Sequence, residues 1–111
     1  MKKPTKLLTL AFLALGGGLL TGCDNGPKIV IGILQPVEHG ALSAARKGFM
    51  EALKTNYKGD KKLKCEYKNA NGVEADQNTL AKSLANKADL LLGIGTGASV
   101  ALKSAEIEAG F

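Results

Sequence analysis

The stretch Lys28-Ile29-Val30-Ile31-Gly32-Ile33-Leu34 decides the fold. It is a continuous apolar run rich in β-branched residues, the pattern of a strand buried on both faces. Gln35-Pro36 ends it, because a residue before proline stays extended. From Ala41 the period becomes helical. Leu42, Ala45, Phe49, Ala52 and Leu53 share one face, and Arg46, Lys47, Glu51 and Lys54 lie largely off it. Lys58-Gly59-Asp60 then turns the chain.

The next strand has a different character. Leu63, Cys65 and Tyr67 alternate with Lys62, Lys64, Glu66 and Lys68. Strict alternation predicts one wet face, and lysines suit an edge. After a loop over 69–74, a second helix is expected, capped by Asp76, with Leu80, Ala81, Leu84, Ala85 and Ala88 inward. Leu90 to Ile94 is another fully apolar strand. Gly95-Thr96-Gly97 turns the chain into a third helix through about Ala105, with Thr96 as its N-cap.

The element order is thus β-α-β-α-β-α, which predicts an α/β fold with a parallel sheet and right-handed crossovers. Hydropathy places strands one and three inside and strand two at an edge, giving strand order 2-1-3. In such a sheet the chain leaves strands one and three toward opposite faces. Ligands bind in the crevice at their carboxyl ends. Two loops meet there, over 35–40 and 95–99. Thr96 and the first N–H groups of the third helix favour an anion such as a carboxylate. Glu38 offers a partner to a ligand ammonium, or is a solvated loop acid. His39 reads equally as a contact or as a plain surface residue. A carboxylate site and an acid together suggest an amino-acid-like solute.

The chain has 111 residues, 45% hydrophobic and 23% charged, with a formal net charge of +5. That is room for one small domain. Part of the charge belongs to the leading segment. Lys2, Lys3 and Lys6 precede an apolar core from Leu7, then Gly16-Gly17-Gly18 and Leu20-Thr21-Gly22-Cys23. This is the layout of a secretory signal peptide. The apolar stretch is shorter than the ~20 residues that span a bilayer. Leu20-Thr21-Gly22-Cys23 resembles the bacterial lipobox, which implies cleavage before Cys23 and lipidation of its thiol. Residues 1–22 are then a lipoprotein signal peptide, 23–27 a lipidated tether, and 28–111 a lobe. Acyl chains would hold the lobe on the extracytoplasmic face of the cell membrane, facing the periplasm in a Gram-negative host. Removing residues 1–22 takes away three of the 15 Lys+Arg and none of the ten acids, leaving +2. Cys65 is then the one free thiol.

The run Ile31-Gly32-Ile33-Leu34-Gln35-Pro36-Val37-Glu38-His39-Gly40-Ala41-Leu42, followed by Ala45-Arg46-Lys47-Gly48-Phe49, resembles the amino-terminal lobe of ABC-transporter substrate-binding lipoproteins. These are similar to receptors for tryptophan and other aromatic amino acids. Asn69-Ala70-Asn71-Gly72, Asp89-Leu90-Leu91 and Gly95-Thr96-Gly97-Ala98 extend the likeness. The resemblance implies a periplasmic-binding-protein type I lobe. It implies that Gln35, Glu38 and His39 line the cleft and that Thr96, Gly97 and Ala98 hold a carboxylate. It implies a membrane permease, driven by an ATPase, as partner. It implies no catalysis and no cofactor. The family often has proline after the threonine, where this chain has Gly97. Family members carry two full lobes, so the expectation here is an incomplete amino-terminal lobe that binds its solute weakly or not at all by itself.

Other classes fit less well. Gly93, Gly95 and Gly97 do not make the dinucleotide fingerprint. The sequence has no Gly-x-Ser-x-Gly elbow and no phosphate loop, which argues against an enzyme of flavodoxin-like or hydrolase type. The lysines at 54–68 lack the interleaved aromatics of a nucleic-acid surface. The surviving alternative is a small lipid-anchored interaction protein that pairs through its edge strand and binds no solute.

Overall fold

In the computed structural model residues 26–110 are described. The expected signal peptide over 1–22 and the lipidation site Cys23 lie outside them. Lys28–Gln35 forms β1, which becomes fully buried from Ile31 onward. Next come α1 (Gly40–Asn56), β2 (Lys62–Asn69), α2 (Glu74–Lys87), β3 (Leu90–Gly93) and α3 (Thr96–Ala109). The sheet is parallel with order β2-β1-β3, as the hydropathy predicts. β1 pairs with β2 over its whole length, from Lys28 opposite Lys62 to Gln35 opposite Asn69. Its second half pairs with β3, from Ile31 opposite Leu90 to Leu34 opposite Gly93.

Two cores form, one on each face of the sheet. Ile31, Ile33 and Ile94 face α1, packed against Leu42, Phe49, Leu53, Leu63, Cys65 and Tyr67. Leu34 faces the other way, onto an alanine-rich layer from α2 and α3 that includes Ala81, Ala85, Ala98, Ala101 and Ala105. Small side chains let these two helices approach the strand closely. Gly32 serves the same fit, because a Cβ there would meet Ala88, Leu91 and Leu84 at 3.1–3.2 Å. At the opposite end of β1, Asp89 clamps the α2–β3 connection. Its N–H donates to the Val30 carbonyl at 2.7 Å, and its carboxylate accepts from the Val30 N–H at 2.8 Å.

Several local expectations change. Ala45 and Ala52 are exposed, and Arg46 turns inward instead. The half-buried stripe of α1 is Leu42, Arg46, Phe49 and Leu53, because Tyr67 and Gln35 beneath give the guanidinium partners. Asp76 does not cap α2. The Gln77 N–H already donates to the Val73 carbonyl at 3.0 Å, so the helix starts from Val73, with Glu74 and Asp76 in its first turn. Both acids still favour the positive helix end. Thr96 is not the cap of α3. Gly95 holds that place at φ 99°, a region open to glycine, and Thr96 is already helical. α3 also runs beyond Ala105 to Ala109. Gly110 ends it in the left-handed conformation (φ 73°), donating to the carbonyls of Glu106 and Ile107. β3 stops at Gly93 and forms the second edge of the described sheet, with Leu90 54% exposed.

Candidate functional site

The carboxyl ends of β1 and β2 meet in one polar cluster. Gln35 closes β1 on the α1 face and is 0% exposed. Its amide nitrogen donates to the Val37 carbonyl at 2.9 Å and to Ser43 Oγ at 3.2 Å. Its oxygen accepts from Arg46 at 3.0 Å. A buried amide so fully paired holds the loop over 35–40 in one shape. Arg46 also stacks on the Tyr67 ring, 3.8 Å from its centroid.

Glu38 crowns this cluster. It accepts from Ser43 Oγ at 2.8 Å and from the Tyr67 hydroxyl at 2.9 Å, and Arg46 lies 3.7 Å away. The bonds from Ser43 and Tyr67, then the Arg46 charge, hold its carboxyl below the usual glutamate range. Burial, with the Glu38 bond second, pushes the Tyr67 hydroxyl up. Glu38 is therefore a carboxylate on the loop after β1, with its side chain 56% exposed. His39 is the N-cap of α1, and its Nδ1 accepts from the Ala41 N–H at 3.2 Å.

The loop after β2 is tied to the loop after β1. Ala70 donates to the Gln35 carbonyl at 3.0 Å and Gly72 to the Pro36 carbonyl at 2.8 Å. The turn between them needs Asn71 at φ 52° and Gly72 at φ 80°, and the Asn69 side chain braces it by accepting from the Asn71 N–H at 2.8 Å. Asparagine and glycine tolerate that left-handed region best.

The third strand end swings against the same ridge. A Cβ on Gly95 would lie 3.6 Å from Pro36, and one on Gly97 would lie 3.2 Å from the Gln77 amide nitrogen. Ser99 Oγ donates to the Gly95 carbonyl at 2.9 Å, which fixes the entry into α3. Thr96 and Gly97 are exposed at the start of the helix, where first-turn N–H groups have no intrahelical acceptor. Beside them lies a hollow of about 230 Å³ lined by Pro36, Gly72, Val73, Glu74 and Gln77.

The expected residues therefore fall into two groups. Glu38, His39, Thr96 and Gly97 are exposed, on the loops that follow β1 and β3. Gln35 and Ala98 are at 0% exposure: Gln35 braces the loop, and the Ala98 methyl belongs to the core. Sequence reasoning missed Ser43, Arg46, Tyr67 and Gln77. The 42-46-49-53 spacing carried a signal for Arg46, and alternation along β2 put Tyr67 on its face. Among the described residues no group of three or more His, Cys, Asp or Glu could hold a metal ion.

A parallel α/β lobe of strand order 2-1-3 is the class of fold in which ligands bind at the carboxyl ends of the strands. The sequence profile of the ABC transporter substrate binding protein family matches residues 30–109, and the chain belongs to that family. It is 33% identical to the tyrosine-binding protein of Clostridioides difficile (strain R20291), over 95% of this chain and 36% of that protein. It thus spans about a third of the relative's length. Among solved structures it resembles a ligand-free, open substrate-binding protein with adhesive properties from Clostridium difficile, at 35% identity and a TM-score of 0.63. That match covers 69% of this chain and 27% of the other. It also resembles an ABC domain in complex with L-Trp from Streptococcus pneumonia, at 36% identity and a TM-score of 0.62, over 70% and 27% of the two chains.

Proposed function

We propose that this chain is the extracytoplasmic solute-binding component of an ABC importer and that its lobe forms one wall of a cleft for an amino acid. The observation that carries this reading is the meeting of the loops after β1 and β3. Pro36 abuts Gly95, so the loop that carries Glu38 lies against the loop that opens α3, which supports placing the Glu38 carboxylate and the first N–H groups of α3 on one crevice. A zwitterion matches both: its ammonium suits Glu38, and its carboxylate suits the helix start at Thr96, Gly97 and the backbone of Ala98. The relatives named for tyrosine and found with L-Trp favour an aromatic amino acid. The loaded lobe would dock on a membrane permease. Residues 1–22 serve as the export signal, and Cys23 as the lipidated anchor with a tether to Gly26-Pro27. No helix among the described residues is long and apolar enough to cross a membrane.

One wall supplies only part of the contact area, so the affinity of this lobe falls near the millimolar range, roughly −4 kcal/mol. The test is L-tryptophan titrated into the isotope-labelled full chain in detergent micelles. Saturable amide shifts are expected along 37–39 and 96–98, and their loss in a Glu38→Ala, Thr96→Val double variant. Shifts confined to other surfaces would overturn the reading. Cys23→Ser should abolish palmitate labelling in a bacterial host.

A further inference from the structure

We propose that Gln77, through its side-chain amide, is a contact for the carboxylate of the bound solute and shares that group with the first turn of α3. The inference rests on the cleft reading above and adds a residue to it. Gln77 is 9% exposed, on the first turns of α2. Its backbone N–H bonds to Val73, and its side-chain amide has no hydrogen-bond partner among the described residues. Such an amide normally finds a partner when nine-tenths buried. No fully sealed side-chain polar atom is left unpaired among the described residues, so the amide keeps an opening. That opening is the hollow of about 230 Å³ that Gln77 helps to line.

The hollow adjoins the start of α3. Pro36 and Gln77 both line it, and the same two side chains face the missing Cβ positions of Gly95 and Gly97. At Gly97 the amide nitrogen is nearer (3.2 Å) than the amide oxygen (3.5 Å). The amide thus lies against the helix start, where its NH₂ end would add to N–H groups that already favour an anion. Gly97 is what leaves room for it: a side chain there would press on the amide. Glu74 stands on the rim of the same hollow. Its charge disfavours an anion without a compensating ammonium, so the subsite selects an α-amino acid over a simple carboxylic acid.

The test follows the Gln77 side-chain NH₂ signals in proton–nitrogen spectra of the full chain in detergent micelles. L-tryptophan and L-tryptophanamide, which lacks the carboxylate, are the probes. L-tryptophan should shift these signals and the Gly97 amide together and saturably, and tryptophanamide should leave both in place. Gln77→Ala should weaken L-tryptophan by about tenfold, the loss of one charge-assisted hydrogen bond. Gly97→Ala should weaken it similarly, and the double variant no further, because both changes remove one interaction. If L-tryptophan moves Thr96 and Gly97 and leaves the Gln77 NH₂ unmoved, the assignment to Gln77 fails and the cleft reading stands. If it moves neither loop, both fail. Equal shifts with tryptophanamide would also overturn the carboxylate assignment.

Discussion

The guanidinium of Arg46 lies 3.8 Å from the centroid of the Tyr67 ring, joining the middle of α1 to the end of the edge strand. The same group donates to Gln35 at 3.0 Å and stands 3.7 Å from Glu38. One cation thus organises both loops on the α1 side of the crevice. Arg46→Ala strips the ring of its cover and leaves the buried Gln35 oxygen without a donor. The expected loss is about 1–3 kcal/mol of unfolding free energy, read from urea titration. Arg46→Lys should recover only part of it, because an ammonium cannot stack and fork at once.

Tyr67→Phe keeps the ring under Arg46 and removes the hydroxyl that donates to Glu38 at 2.9 Å. The Glu38 carboxyl should then titrate higher, toward the ordinary glutamate value. Carbon-detected titration of its side chain reads this directly, and an unchanged midpoint would contradict the hydrogen bond.

Acid should destabilise the lobe through Glu38 and Glu66. Bonds from Ser43 and Tyr67 lower the first, and bonds from Lys64 and Lys87 lower the second. A carboxyl depressed in the folded state adds stability above its unfolded value of about 4.3, and that stability is lost as pH falls through the folded value. The urea midpoint should therefore drop between pH 6 and pH 3. Glu66→Gln should shrink the drop, and salt should shrink it as well, since Glu38 and the lysines that pair with Glu66 are exposed.

Two glycines should answer oppositely to alanine. A Cβ on Gly93 would lie 2.7 Å from the Ser99 Cα, backbone against backbone, so Gly93→Ala should cost about 1–3 kcal/mol. Gly48, inside α1, has nothing within 4 Å of its Cβ position. Gly48→Ala should stabilise by roughly 0.5–1 kcal/mol, because alanine loses less backbone entropy in a helix. Thermal unfolding of both variants checks the pair.

The two cap positions separate as well. His39 is an N-cap with a side-chain bond, so His39→Ala should cost about 0.5–2 kcal/mol. Thr96 makes no cap bond, because Gly95 holds that place. Thr96→Val should leave stability within about 0.5 kcal/mol of the parent and act on solute binding alone. A large stability loss from Thr96→Val would put the cap back on Thr96.

Periodicity carried the architecture. The apolar run at 29–34, the alternation at 62–68 and the helical stripes between them set three parallel strands in the order 2-1-3, since burial on both faces, one face or neither leaves a local mark in sequence. That Glu38, His39, Thr96 and Gly97 follow the carboxyl ends of β1 and β3 was legible for the same reason. What a helical period does not state is which polar residue on a stripe will find a partner. Arg46 turns inward because Tyr67 and Gln35 arrive from two strands beneath the helix, and Tyr67 meets Glu38 across 29 residues of chain. Gln77 lies beside Gly97 because α2 starts from Val73, where the chain leaves the turn at Asn71-Gly72 that is tied to Pro36. Local pattern sets which faces are apolar. Only the packed structure brings distant polar groups close enough to decide which are satisfied and which remain free for a ligand.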